Sequence, residues 1–411
     1  MPWYFAFIIS VSVIIIGLYK KLNIGLAMII GAITLGLLSQ LSLFSLYQVT
    51  AASLLNSVTV MLVLSILQLG ILGHILKKTG ALEAIIDSLN SMVSDLRAIS
   101  VAMPMLIGML TVPGGAILSA PICAQTGENL GLPPEKQAAI NIWFRHVLYF
   151  MLPLFPSLIL ASQLSGISLG RFVAHNILIT IIGTVLGFKV LFRGYRNVKP
   201  SYETNLSRLR ELLISISPLL LIFVMVVFLG IYFPLALLSG IILALTYALP
   251  VKFWPKELLS RIKTLLLPGI NLALALVIIG IMFFKEMLTS TNVIVEITSL
   301  LLMTNIPIII LIIVISFLVG LLVGDNSASI AILFPLFIPL APEGYYTFSA
   351  YMSFVYVCSV TGHMISPAHP CFSLSKEYYR IDMIKIAALI APLLVVAVTS
   401  AFLLTICFGF Y

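Results

Sequence analysis

Stretch after stretch of this chain carries no charged residue. Segments 3–19, 22–40, 57–76 and 306–323 contain no Asp, Glu, Lys or Arg, and each is apolar over a length that fills most of a bilayer. Of the 411 residues only 9% are charged and 61% are hydrophobic, with a mean hydropathy of +1.19. A soluble domain carries about 25% charged residues. So few charges cannot cover a water-facing surface, so the solvent must be lipid and the chain reads as an all-α polytopic membrane protein. The net charge of +8 does not indicate nucleic acid, because the basic residues form short groups between apolar runs instead of one face. Cys123, Cys358, Cys371 and Cys407 are scattered in apolar surroundings and form no CxxC motif. Run 3–19 has no basic stretch before it and no clear cleavage site after it, and reads as a retained first span.

Apolar runs fall at 3–19, 22–40, 57–76, 98–112, 114–126, 137–164, 172–192, 212–230, 232–250, 264–284, 306–323, 327–341, 346–374 and 383–410. With the amino terminus outside, and with 98–126 and 306–341 each entering and leaving on one side, nearly every basic group becomes cytoplasmic. Of the 22 Lys and Arg residues only Arg145, Arg171 and Lys285 fall elsewhere. The carboxyl terminus is then outside too. Stretches 80–97 and 286–304 are more polar, and the first has apolar residues at helical spacing with acids between, as in a helix lying in the interface.

The chain also repeats. Gly108–Ala116 (GMLTVPGGA) aligns with Gly320–Ala328 (GLLVGDNSA), 212 positions later, and 144–157 aligns with 355–368, matching Pro156 to Pro367. The expected organisation is a first inverted repeat, 1–193, a cytoplasmic linker, 194–210, and a second inverted repeat, 211–411. The first holds scaffold helices within 1–78, interfacial helix 80–97, hairpin 98–126, broken helix 137–164 and helix 172–192. The second holds scaffold helices within 212–284, interfacial helix 286–304, hairpin 306–341, broken helix 346–374 and helix 383–410. That amounts to about 10–11 transmembrane helices plus two re-entrant helical hairpins.

Run 98–111 reaches only about 21 Å as a helix, less than the roughly 30 Å hydrocarbon core, so each hairpin tip stops inside the membrane. The tips are Thr111-Val-Pro113-Gly114-Gly115 and Gly324-Asp325-Asn326-Ser327. Gly and Pro break the helix there, and Asn and Ser cap the returning arm, whose positive end favours an anion while the incoming carbonyls suit a cation. The links Pro153-Leu-Phe-Pro156 and Thr361-Gly362-His363-Met-Ile-Ser366-Pro-Ala-His369-Pro370 read as unwound joints facing the tips. Inverted repeats with paired breaks point to a secondary transporter with its site near the midplane.

These features, with the tip GDNSASIAILFPL, resemble the ion transporter superfamily, which includes divalent-anion/sodium symporters, citrate carriers, gluconate permeases and arsenite permeases. Within it the chain is most similar to an archaeal and bacterial permease branch described as a domain of unknown function. The resemblance implies a scaffold, a transport domain moving as an elevator, the plasma membrane of a prokaryote, and a homodimer through scaffold helices. Dicarboxylate members carry Ser-Asn-Thr at both tips. Here the second tip keeps Asn326-Ser327 after Asp325, whereas Pro113-Gly114-Gly115 departs from the pattern, so neither dicarboxylate specificity nor a symmetric pair of sodium sites carries over.

The expected function is cation-coupled alternating access for a small anionic solute. Solute would bind at Pro113, Gly114, Gly115, Asn326, Ser327, Thr361, Gly362, His363, Ser366, Arg145 and His146, and the coupling cation, Na+ or H+, at Asp325, Asn326, Gly324 and Thr111. No enzyme activity, metal or cofactor is expected. The alternatives are a membrane-embedded hydrolase using Asp325, His363 and Ser366, or a channel. There is no second buried acid, GxSxG motif or filter motif to support them, and no P-loop of an ATP-driven pump.

Overall fold

A computed structural model describes residues 2–109, 116–198, 208–248, 255–304 and 306–409. It is all helical, with no strand among the described residues. Helices α4 (Ser57–Lys78), α10 (Leu169–Leu191), α11 (Leu209–Val227), α14 (Leu272–Ser290) and α20 (Met383–Gly409) are long and apolar enough to cross a bilayer. Between 28% and 50% of each such apolar stretch is buried in the protein, so much apolar surface faces outward, where lipid accommodates it. The chain is a polytopic membrane protein.

Among the described residues the remaining helices complete two series of ten in matching order. The first is α1 (Trp3–Tyr19), α2 (Ile24–Leu38), α3 (Leu43–Leu55), α4, α5 (Ala81–Met92), α6 (Leu96–Met109), α7 (Ala116–Asn129), α8 (Pro134–His146), α9 (Pro156–Ser165) and α10. The second is α11, α12 (Phe233–Ala248), α13 (Pro255–Leu266), α14, α15 (Val293–Met303), α16 (Ile308–Val323), α17 (Asn326–Phe337), α18 (Tyr345–Met364), α19 (Pro370–Tyr379) and α20. Contacts between the series are reciprocal: α4 packs on α12 as α14 does on α2, α5 on α11 as α15 on α1, and α7 on α19 as α17 on α9. Helices α1–α4 and α11–α14 form one packed group, and α6–α10 with α16–α20 form a second; α14 against α17 and α10 against α11 join them.

Local chemistry explains where many helices begin. Asn23, Asn56, Asn271 and Ser168 each accept a backbone N–H in the first turn of α2, α4, α14 and α10. Close packing explains how they cross. A Cβ on Gly320 would run into the Ser359 carbonyl of α18, and one on Gly362 into the Phe317 carbonyl of α16, so these helices touch backbone to backbone. Gly108 of α6 sits in the same way against the Arg145 carbonyl of α8.

Several element boundaries differ from the sequence reading. Helix α3 occupies residues assigned to a connection; Ser42 caps it, and Leu43, Phe44, Tyr47 and Leu55 leave it largely exposed, an apolar surface helix too short to register as a span. The interfacial stretch 80–97 is divided, α5 ending at Met92 and α6 starting at Leu96 under an Asp95 cap that accepts from Arg97 N at 2.8 Å. In the second series α14 continues to Ser290 and α15 begins at Val293, with Asn292 in the left-handed region between them.

Candidate functional site

Three interruptions of the helices meet at one place. α16 ends at Val323 and α17 begins at Asn326, leaving Gly324 and Asp325 as the turn. Gly324 has φ +68°, and a Cβ there would lie 2.5 Å from the Ala368 Cβ, so only glycine lets this turn sit against the second joint. Asp325 caps α17: its carboxylate accepts from Ala328 N at 2.8 Å, and its carbonyl accepts from Ser329 Oγ at 2.8 Å. The positive end of α17 is therefore already engaged by the protein's own carboxylate. The joint between α18 and α19 is 365–369, and the one between α8 and α9 is 151–155, preceded by a short 3-10 turn, Val147–Phe150.

Buried polar side chains line this meeting point. Arg145 and His146 end α8, and Asn326, Ser359, His363, Ser366 and His369 come from α17, α18 and the second joint; all are at most 4% exposed. Ser359 Oγ donates to Asn326 Oδ1 at 2.9 Å. Ser366 Oγ donates to the Leu321 carbonyl and accepts from Ala368 N at 3.2 Å. Tyr356 of α18 donates to the Tyr149 carbonyl at 2.9 Å and lies 3.1 Å from Ser157 Oγ of α9, tying the two broken helices together.

Two of the histidines have their proton positions set by geometry, because a carbonyl oxygen can only accept. His146 Nδ1 lies 2.7 Å from the Ile142 carbonyl and His363 Nδ1 lies 3.1 Å from the Gly324 carbonyl, so both donate from Nδ1 and present lone pairs at Nε2. His369 Nε2 is 3.0 Å from His146 Nε2 and donates to it. Among the buried polar atoms left without a hydrogen-bond partner are His363 Nε2, His369 Nδ1 and Asn326 Nδ2. Buried polar groups are normally paired, so several unpaired ones gathered at one place make it a candidate for a ligand, an ion or ordered water.

The structure brings together Arg145, His146, Gly324, Asp325, Asn326, His363 and Ser366 from the residues read in the sequence. Ser327 is buried beside them in the first turn of α17. Thr361 instead hydrogen-bonds its own helix at the Cys358 carbonyl, 2.7 Å away, and Gly362 is taken up by the α16 crossing. Thr111, Pro113, Gly114 and Gly115 lie outside the described residues. The hydrolase arrangement is not formed: Ser366 Oγ and His363 Nδ1 each bond a backbone carbonyl and not one another.

Sequence reasoning missed Cys371, Tyr149 and Tyr356. The Cys371 thiol, in the first turn of α19, is within hydrogen-bonding reach of His146 and Arg145. The His-Pro-Cys spacing at 369–371 was the only available signal, and its partner, His146, is 223 residues from His369. A cavity of about 420 Å³ opens elsewhere, between α4, α5, α11 and α12, lined by Thr79, Gly80, Arg210, Glu211, Ser215 and Tyr247. It holds none of the unpartnered buried atoms described above, so it is not the candidate site.

A search of the curated proteins finds no match. Among solved structures the fold is similar to the crystal structure of the Alcanivorax borkumensis YdaH transporter, described as having an unusual topology. The TM-score is 0.62, with 14% sequence identity, over 90% of this chain and 89% of that one. The family model described as a protein of unknown function, DUF401, matches residues 4–410, and the chain belongs to that family.

Proposed function

We propose that this protein is a secondary active transporter that carries a small anionic solute through the membrane by cation-coupled alternating access. The observation that carries this reading is the convergence of two broken helices and one half-helix turn on a buried polar cluster inside a membrane protein. The likeness in fold to a transporter supports it, and so does the reciprocal packing of two ten-helix series. Membership of the ion transporter superfamily is part of the proposal.

Arg145 supplies the positive charge for the solute, and His146, His363 and Asn326 supply donors and acceptors around it. Asp325 and the carbonyls of the turn take the coupling cation, Na+ or H+. The group containing α6–α10 and α16–α20 moves against the scaffold, which we place in a homodimer within the plasma membrane of a prokaryote, both termini outside. No enzymatic step is part of the cycle.

The test is thermal unfolding of the purified protein against carboxylates, sugar acids and inorganic anions, each with and without sodium at two pH values, followed by flux of any stabilising anion into proteoliposomes. A ligand at 100 times its Kd stabilises the folded state by about 2.7 kcal/mol. A cation-dependent shift accompanied by saturable flux supports transport. Binding without flux in sealed, correctly inserted vesicles overturns it.

A further inference from the structure

The polar cluster contains a second constellation, which shares only His146 with the transport reading. One ligand atom each from His146, His369 and Cys371 lies within 4.8 Å of the others, and all three residues are buried. They come from the end of α8, the second joint and the first turn of α19. We infer that these three side chains form a binding site for a borderline-soft divalent metal ion of the Zn2+ class.

Four observations point the same way. First, the donor set is two imidazoles and a thiolate, which zinc takes readily, with three protein ligands and a fourth position left open. Second, His146 donates its Nδ1 proton to the Ile142 carbonyl at 2.7 Å, which orients Nε2 inward as in metal-bound histidines. Third, the His146 and His369 Nε2 atoms face each other at 3.0 Å, close to the roughly 3.3 Å that two Zn–N bonds of about 2.0–2.1 Å subtend in a tetrahedron. In the other neutral tautomer of His369, whose Nδ1 has no protein partner, both Nε2 lone pairs point at the ion. Fourth, Cys371 is the second residue of α19, directly after the cap His369 and Pro370, so the start of one helix places its sulfur and the His369 imidazole side by side. The buried Arg145, next to His146 in the chain, gives the open fourth position an anionic preference.

His363 forms the wall of the site, its ring edge-on to His369 at 3.9 Å between centroids. The inference does not depend on transport, because metal binding is read in detergent without any flux.

The experiment uses the full-length protein, reduced and stripped with a chelator, titrated with Co2+ as a spectroscopic probe and then with Zn2+. The expected result is one equivalent of Co2+ per chain with a thiolate-to-cobalt charge-transfer band that Zn2+ abolishes. Cys371→Ser should remove the band and His369→Ala should weaken binding at least about 100-fold, whereas Cys123→Ser and Cys358→Ser should leave both unchanged. A wild-type protein that binds no stoichiometric cobalt, or a band that survives in Cys371→Ser, overturns the site. Zinc X-ray absorption on the wild type needs no variant: one sulfur at about 2.3 Å and imidazole nitrogens at about 2.0 Å are expected, and a shell without sulfur overturns the proposal.

Discussion

The break between α8 and α9 and the break between α18 and α19 hold matching places in the two series, yet they carry different chemistry. The first joint, 151–155, reads Met-Leu-Pro-Leu-Phe; Phe155 is fully buried and stacks on Tyr149 with ring centroids 3.8 Å apart. The second, 365–369, reads Ile-Ser-Pro-Ala-His, and Ser366 and His369 put polar atoms into the site. An interruption of a helix requires only a proline and a neighbour that accepts the freed backbone groups, so it can be duplicated without its side chains. The polar side chains were not duplicated. The first series contributes the Arg145 charge and the neutral His146 at the end of α8, and the second contributes most of the acceptors and donors. A symmetric backbone thus frames an asymmetric site.

The comparison can be broken at several points. The largest effect should come where the two series are alike. Gly320→Leu and Gly108→Leu each force a side chain into the backbone of a crossing helix, and both should cost about 3 kcal/mol or more. Loss of the monodisperse peak in detergent chromatography checks this; a tolerated Gly108→Leu beside a collapsed Gly320→Leu shows that the two crossings are not equivalent.

Where the series differ, effects should be one-sided. Arg145→Gln should weaken the stabilising anion about 10- to 100-fold, or roughly 1.4–2.7 kcal/mol, measured by titration calorimetry, while the fold persists. An unchanged affinity removes Arg145 from solute binding. Tyr356→Phe deletes the hydrogen bonds to the Tyr149 carbonyl and Ser157 that bind one broken helix to the other. A loss of about 1–2 kcal/mol is expected, read from the unfolding midpoint. A neutral result makes the tie incidental.

Asp325→Asn sharpens the contrast between a cap and a coupling site. Asn still accepts from Ala328 N, so stability should change by less than about 1 kcal/mol, while the cation dependence of anion binding should disappear. Retained dependence leaves Asp325 as a cap alone.

The smallest effect concerns the entries to the two hairpin arms. α16 is preceded by Pro307, with no side-chain cap, whereas α6 is preceded by Asp95, which pairs with Arg97 at 2.8 Å. Burial raises the Asp95 carboxyl, but the hydrogen bonds and charge of Arg97 outweigh it and hold the group below its ordinary 3.8. A depressed folded value stabilises the protein above the unfolded one and is lost as pH falls through the folded one. Asp95→Asn should therefore lower the midpoint slightly at pH 7, by under about 1 kcal/mol for a pair still partly open to solvent, and the difference should vanish below the ordinary carboxylate range. A difference that persists there assigns the effect to lost capping geometry.

Much of the architecture was legible because its causes are local. Lipid as solvent follows from the charge-free runs, and the turn at Gly324-Asp325 follows from a glycine and a capping acid inside an apolar stretch. The joints follow from Pro153, Pro156, Pro367 and Pro370. α3 was not legible because a short helix with Leu43, Phe44 and Leu55 facing outward has neither the length of a span nor the polar face of a surface helix.

What the sequence determined by itself is the set of helices, their interruptions and the solvent around them, since propensity, capping and partitioning act on neighbouring residues. What only the tertiary structure decided is which polar groups share one space. Thr361 and Gly362 face into their own helix and its partner, while His146, His369 and Cys371 meet across 223 residues of chain. That choice depends on which faces the helices present where they cross, and the crossings are set by backbone contacts at Gly108, Gly320 and Gly362 that no local pattern encodes.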